Sequence, residues 1–383
     1  MAGIYIHIPF CRQACHYCNF HFSTSLRYRE ELISCLIKEL ILRKQEIHTP
    51  IETIYFGGGT PSLLPYQDID AIINTIYKHY QVSKDPEVTL EVNPDDVFNN
   101  DKACESTFLA YKKIGVNRLS IGVQSFFDRD LKLMNRAHNV KESLKCLSDA
   151  THYFDNISVD LIYGIPGLTN DEWLENIDNV LQFNINHISC YALTVEPKTA
   201  LDTFIKKGKI SPVDDDLAES QFYIALDKLE KKGFINYEIS NFGKDQYFSR
   251  NNTAYWQGKP YLGIGPSAHS FNGIDVRSWN IANNKQYIKS LTNSITPTTK
   301  EHLSITDRYN EFVMTGLRTI WGVSLNKITD DFGISYRDYL LKNSEEHINK
   351  GLLIIKNDTL SASKQGKFLT DGIASKLFKI HAQ

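Results

Sequence analysis

The chain has 383 residues, 42% hydrophobic and 23% charged, the balance of a folded globular protein with a core of useful size, which excludes disorder as its main state. Lysine and arginine number 42 against 45 acidic residues, a net charge of −3; a polybasic protein that holds nucleic acid by neutralising phosphates is excluded. No run approaches the roughly 18 apolar residues that span a bilayer, and the opening stretch Met1–Phe10 has no basic segment ahead of its apolar residues. No signal peptide is expected, and the protein is placed in the cytoplasm.

In chain order, six β-rich runs at 4–8, 53–56, 88–92, 118–123, 157–161 and 187–193 alternate with amphipathic stretches at 28–44, 68–79, 107–114, 141–153 and 171–183. Strand and helix in alternation predict parallel strands joined by crossovers, as an open barrel or a doubly wound sheet. Asp214, Asp215 and Asp216 read as capping the start of a helix that runs to about Lys232. The segment 241–278 is rich in Gly, Asn and aromatics. Within it Gly263-Ile-Gly-Pro-Ser-Ala-His269 lacks a preceding strand and reads as a turn, not a dinucleotide loop. Residues 293–300 read as a linker. Beyond it come helices at 306–320 and 336–350, a hairpin at 352–360 turning on Asn357-Asp358, and a last helix at 370–378. This divides the chain into 1–210, 211–298 and a small C-terminal, mostly helical, winged-helix-like domain, 299–383.

The strands share one property: each ends in a polar or glycine motif, and sites in parallel α/β folds form at that edge. The strongest motif is Cys11-x-x-x-Cys15-x-x-Cys18, three of seven cysteines crowded into eight residues. Without an export signal a disulfide framework is not expected, and the cluster reads as metal binding or redox chemistry. Two occupants are open: zinc completed by His7, His16 or His21, and a four-iron cluster with one iron left free for a ligand. Gly57-Gly58-Gly59-Thr60-Pro61 after the second strand lets backbone approach a ligand closely and present N–H groups to a carboxylate. Glu91, Gln124, Asp160 and Ala192 close the next four strands. Asp160 ends a β-branched run, where burial without a partner is costly. Arg136 taken alone reads as a surface ion pair.

Cys-x-x-x-Cys-x-x-Cys followed by Asn19-Phe20, with the glycine triplet, resembles the radical S-adenosylmethionine superfamily. Tyr5-Ile-His-Ile-Pro-Phe-Cys11, Gly122-Val-Gln-Ser-Phe126, Asn135-Arg-Ala-His138 and Asp160-Leu-Ile-Tyr-Gly-Ile-Pro166 narrow the resemblance to the oxygen-independent coproporphyrinogen III oxidase-like group. Phe20 where the dehydrogenases carry a further cysteine, a start just before the first strand and a compact C-terminal region bring it closest to the HemW haem chaperones. The resemblance implies a partial (β/α)6 barrel of parallel strands. It implies a 4Fe-4S cluster on Cys11, Cys15 and Cys18, with S-adenosylmethionine chelating the fourth iron. Gly58, Gly59 and Thr60 would hold the methionine end of that cofactor, Tyr5, Tyr17 and Ala192 its adenosyl part, and Glu91, Gln124, Arg136 and Asp160 its polar groups. Haem would be cargo, delivered to apoproteins, with an electron donor as redox partner. The alternative is a coproporphyrinogen III dehydrogenase that decarboxylates propionates by radical chemistry. One departure stands out: the chaperones carry a His-Asn-x-x-Tyr-Trp string linked to haem, and Asn251 occupies the histidine position here. An amide is a poor ligand for haem iron.

Overall fold

The β-branched runs form six strands, the first five longer than expected and the sixth one residue shorter: β1 (Ala2–Ile8), β2 (Ile51–Gly58), β3 (Val82–Val92), β4 (Arg118–Gln124), β5 (Ile157–Tyr163) and β6 (His187–Ala192). They are seen in a computed structural model that describes residues 2–98 and 103–380. β1 to β6 lie side by side in chain order, each parallel to the next. Crossover helices cover one face. Helix Arg29–Leu42 buries Leu32, Ile33, Leu36 and Leu40, and helix Tyr66–His79 buries Ile69, Ile72, Ile73 and Ile76. That spacing of three and four residues is one helical stripe. Reciprocal capping boxes start two others, Asn139 with Glu142 and Thr169 with Glu172. Asp214 accepts the Leu217 N–H at 3.1 Å, so the aspartate run caps its helix as expected.

β1 and β6 are not paired with each other. The sheet instead continues past β1 through β9 (Tyr261–Ile264), β10 (His269–Phe271), β11 (Val276–Asn280) and β12 (Thr298–His302), and past β6 through β8 (Asn241–Gly243) and β7 (Ile235–Asn236). This is a partial barrel, open between its first and sixth strands. Two expectations are corrected here. Residues 261–264 before the Gly263 segment are a strand, parallel to β1, and the segment's N–H groups are already used: Gly263 donates to Ser270 Oγ and Gly265 to Glu39 Oε2, both at 2.9 Å. The expected linker at 293–300 ends in β12, whose pairing with β11 runs across the 298/299 boundary. Both strands are short and polar or glycine-bearing, so no apolar alternation marks them.

The C-terminal part has its own core, with Tyr309, Val313, Leu340, Leu360 and Ala374 fully buried. Helices Ile305–Leu317, Leu325–Phe332 and Ile334–Asn349 precede the hairpin of β14 (Leu353–Lys356) and β15 (Thr359–Ala362), with β13 (Val323–Ser324) on β15 and helix Thr370–Leu377 last. Asn357 and Asp358 both take positive φ, 49° and 61°, as the two-residue turn of this hairpin type requires. The domain docks on the β7–β8 edge. The Ile320 N–H donates to the Tyr237 carbonyl at 3.0 Å, and Lys367 Nζ donates to Asn236 Oδ1 at 2.6 Å.

Candidate functional site

The C-terminal ends of β2 to β6 and the loop after β1 surround one cavity of about 650 Å3. Cys11, Cys15, Tyr17, Cys18, Gly58, Gly59, Thr60, Glu91, Gln124, Arg136, Asp160 and Ala192 all line it. Tyr5 is not on that wall. It lies on β1, its ring stacked 6.0 Å from Tyr55, with its hydroxyl 3.3 Å from His7 Nδ1.

The cysteine loop is tied down along its length. The Cys11 N–H donates to Ser23 O, the Cys18 N–H to Cys15 O, and the His16 N–H to Met134 O. Gln13 Nε2 reaches Asn135 Oδ1 at 2.7 Å, and Asn135 adopts the left-handed φ of 57° that this docking needs. Arg136 is not a surface ion pair. Its Nη1 donates to Cys15 Sγ at 3.4 Å and its Nη2 to Asn93 Oδ1 at 2.7 Å and Gly122 O at 3.0 Å. The three thiols are free. Burial pushes Cys11 up to about 11 and raises Cys18, so unligated they stay protonated and are poor redox nucleophiles.

The histidines proposed to complete a zinc site are engaged elsewhere. His7 Nε2 bonds the His21 carbonyl at 2.9 Å, His16 Nδ1 the Leu133 carbonyl at 2.8 Å, and His21 Nε2 Asn284 Oδ1 at 2.7 Å. None of them lines the cavity. Among the described residues no three His, Cys, Asp or Glu groups converge on a point fit for one ion. Among the described residues no histidine joins the three cysteines on the cavity wall, so a Cys3His zinc site lacks its fourth ligand there.

The glycine triplet provides space, not free donors, which corrects the expectation for its N–H groups. The Gly59 N–H donates to Ile8 O and the Thr60 N–H to Phe10 O, while the Gly58 N–H faces the Glu91 carboxylate. A Cβ on Gly58 would stand 2.6 Å from the His7 ring, at a φ of +109°. On Gly59 it would stand 2.6 Å from Phe10 O, and on Gly57 2.8 Å from Glu91 Oε1. Any side chain there would disrupt β1 or evict Glu91.

Glu91 accepts from Tyr55 Oη at 2.9 Å, and burial raises it to about 7. Asp160 is raised by burial too, opposed by hydrogen bonds from Ser189 and Ser120 and by the Arg118 charge. Gln124 ends β4 with a φ of 69°, a strained position for a residue with a side chain, and is held on the cavity wall. Sequence reading missed Ser120, which alternates with Gly122 and Gln124 along β4 and so faces the same way. It also missed Arg318, Phe368 and Asp371, brought in by the C-terminal domain.

Within the Asn251–Trp256 string, Asn251 lies toward the other end of the strands, while the Trp256 ring is 5.2 Å from the guanidinium of Arg318. Asn251 is buried on helix Arg250–Trp256. Its N–H donates to Glu87 Oε1 at 3.0 Å, and its Oδ1 accepts from Thr53 Oγ1 at 3.1 Å. It packs beneath β1–β3 and does not reach the cavity.

A cysteine-bearing loop and strand-end residues around one cavity of a partial barrel define a radical S-adenosylmethionine protein. The radical SAM superfamily model matches residues 5–180, and that of the HemN C-terminal domain residues 303–369. The heme chaperone HemW of Bacillus subtilis is 32% identical over 374 residues, covering 96% of this chain and 97% of the relative. That of Mycobacterium tuberculosis is 30% identical over 382 residues, 98% and 94% of the two chains. The mitochondrial radical S-adenosyl methionine domain-containing protein 1 of Mus musculus is 32% identical over 97% of this chain and 86% of its own. The chain belongs to the HemW family. Its fold matches that of the coproporphyrinogen III oxidase HemN from Escherichia coli, with a TM-score of 0.84 over 99% of this chain and 90% of that one, at 21% identity. No helix among the described residues is long and apolar enough to cross a membrane.

Proposed function

We propose that the cavity holds a four-iron cluster on Cys11, Cys15 and Cys18 with S-adenosylmethionine beside it, and that the protein is a cytoplasmic haem chaperone that binds haem and passes it to apoproteins. The observation that carries the reading is the gathering of twelve residues from seven chain segments around one cavity, in a chain similar along its whole length to proteins named heme chaperones. The residues fit the groups. Arg136 sets a guanidinium against Cys15 Sγ, which stabilises thiolate as iron binds. Glu91 and Asp160 turn carboxylates toward a cavity where a sulfonium cation would meet them. Gly58, Gly59 and Thr60 line the cavity, where they would meet the methionine end, and Thr60 stands beside Cys11. Tyr17 and Ala192 would flank the adenosyl part. Tyr5 would act from behind, through its stack on Tyr55. A reduced cluster of this kind supplies the electron that cleaves S-adenosylmethionine; an outside donor must reduce it. The test is anaerobic reconstitution followed by parallel haem titration and coproporphyrinogen III turnover. Stoichiometric haem binding with no vinyl product is expected; product over many turnovers would make the protein a dehydrogenase.

A further inference from the structure

The cavity has two different linings. Its deep part is thiols, carboxylates and amides, as described. A second part is apolar: Phe20 from the cysteine loop on one side, and Ile239 and Phe368, backed by the buried Phe222, on the side of β6 and the C-terminal domain. The Phe222 and Phe368 rings meet at 5.6 Å. Phe20 is 68% exposed, although Cys18 and His21 on either side of it are fixed. The two sides of this apolar wall come from the loop after β1 and from the β6–β8 side, and β1 and β6 are not paired with each other.

One cation stands on that wall among the described residues. Arg318 caps the C-terminal end of helix Ile305–Leu317 and lies over the Trp256 ring at 5.2 Å. Its Nη1 donates to Asp371 Oδ2 at 3.1 Å, and its Nε is buried without a hydrogen-bond partner. Asp371 is half-exposed, and such a surface pair adds little stability, so another carboxylate can take its place at small cost. A sulfonium cofactor has no use for this wall: its charge repels Arg318, and its polar ends match the deep part. A flat apolar ring with carboxylates on its edge matches it on both counts.

We infer that this apolar wall seats the tetrapyrrole cargo, with its faces against Phe20 and against Phe368, backed by Phe222, and a propionate on Arg318. The inference rests on the reading of the protein as a haem carrier and adds the place of binding. It assigns recognition to the propionate edge and the C-terminal domain, away from residue 251.

The test titrates the full-length, anaerobically reconstituted protein with hemin and with hemin dimethyl ester, followed by Soret absorbance, with iron content as the check that each variant is folded. Arg318→Gln should weaken hemin about tenfold, as expected for loss of a charged hydrogen bond, and leave the ester within roughly twofold of wild type. Arg318→Lys should recover part of the hemin loss. Asp371→Asn removes the other half of the same ion pair and should not weaken hemin. Phe368→Ala should weaken both ligands. Hemin binding unchanged in Arg318→Gln, an equal loss for hemin and ester, or an equal loss in Asp371→Asn would each overturn the inference while leaving the carrier reading intact. A wild-type protein that binds neither ligand would overturn the carrier reading itself.

Discussion

The same strands carry similar polar residues at both ends, and the two ends differ in what those residues face. β3 bears Glu87 near the floor and Glu91 at the cavity, four residues apart. Glu87 is saturated by protein: its two oxygens accept the N–H groups of Arg250 and Asn251 at 3.0 Å each, and Arg118 lies 4.0 Å away. Nearby, buried His187 takes Ser158 Oγ on one nitrogen at 2.7 Å and Tyr237 Oη on the other at 2.8 Å, and burial keeps it neutral. Glu91 has one phenol and one backbone N–H and otherwise opens on the cavity, which leaves it raised to about 7. Residue type alone therefore does not separate structure from site. Position along the strand and the supply of protein partners do.

The sharpest way to break this comparison is at the cysteines. Cys15→Ser should abolish the cluster, read as iron content and visible absorbance after anaerobic reconstitution. Cys35→Ser, on the buried face of helix Arg29–Leu42, should keep it. Next in size is the floor. Arg118→Met leaves Glu87 short of its counter-charge and should lower stability by about 3 kcal/mol, seen in denaturant unfolding. Asn251→Ala removes the acceptor for Thr53 and should cost about 1–2 kcal/mol, with haem affinity nearly unchanged. An Asn251→Ala protein of normal stability that loses haem would move residue 251 from the floor to the site.

The smallest effect has the opposite sign. Glu91 titrates near 4.5 when unfolded and at about 7 when folded, so between these values the folded state holds the extra proton and stability falls as pH rises. Glu91→Gln should therefore stabilise the ligand-free protein at pH 8, by about 1 kcal/mol or roughly 1–2 °C in melting temperature, with most of the gain gone at pH 5. The same variant should bind S-adenosylmethionine more weakly. A Glu91→Gln protein less stable than wild type at pH 8 would place Glu91 with the floor residues.

Much of this was legible in the sequence. β1 to β6 are long β-branched runs, and each ends in a motif whose chemistry can be named without coordinates. β9 was not legible, because Tyr261-Leu-Gly-Ile264 is four residues carrying a glycine that reads as a breaker. Gly263 is there for space, since the His269 carbonyl stands 1.9 Å from where a Cβ would go. The glycine triplet was recognised but its N–H groups were misjudged: the acceptor of the Gly59 N–H is Ile8, some fifty residues earlier on β1, and the Gly58 N–H faces Glu91 on β3. Asn251 was noted as a departure, but a string does not say at which end of a strand it packs. The apolar wall was hidden for the same reason. Arg318 and Phe368 share a cavity with Phe20 only because the C-terminal domain docks on the β7–β8 edge.

The most direct test of the cavity as a cluster and cofactor site is electron paramagnetic resonance of the reduced, reconstituted protein with and without S-adenosylmethionine. The account predicts a brown protein whose cluster signal shifts when S-adenosylmethionine is added, in wild type and in Asn251→Ala alike, and no such signal in Cys15→Ser. Colourless protein with stoichiometric zinc after careful reconstitution, or a cluster signal that ignores S-adenosylmethionine, would contradict it.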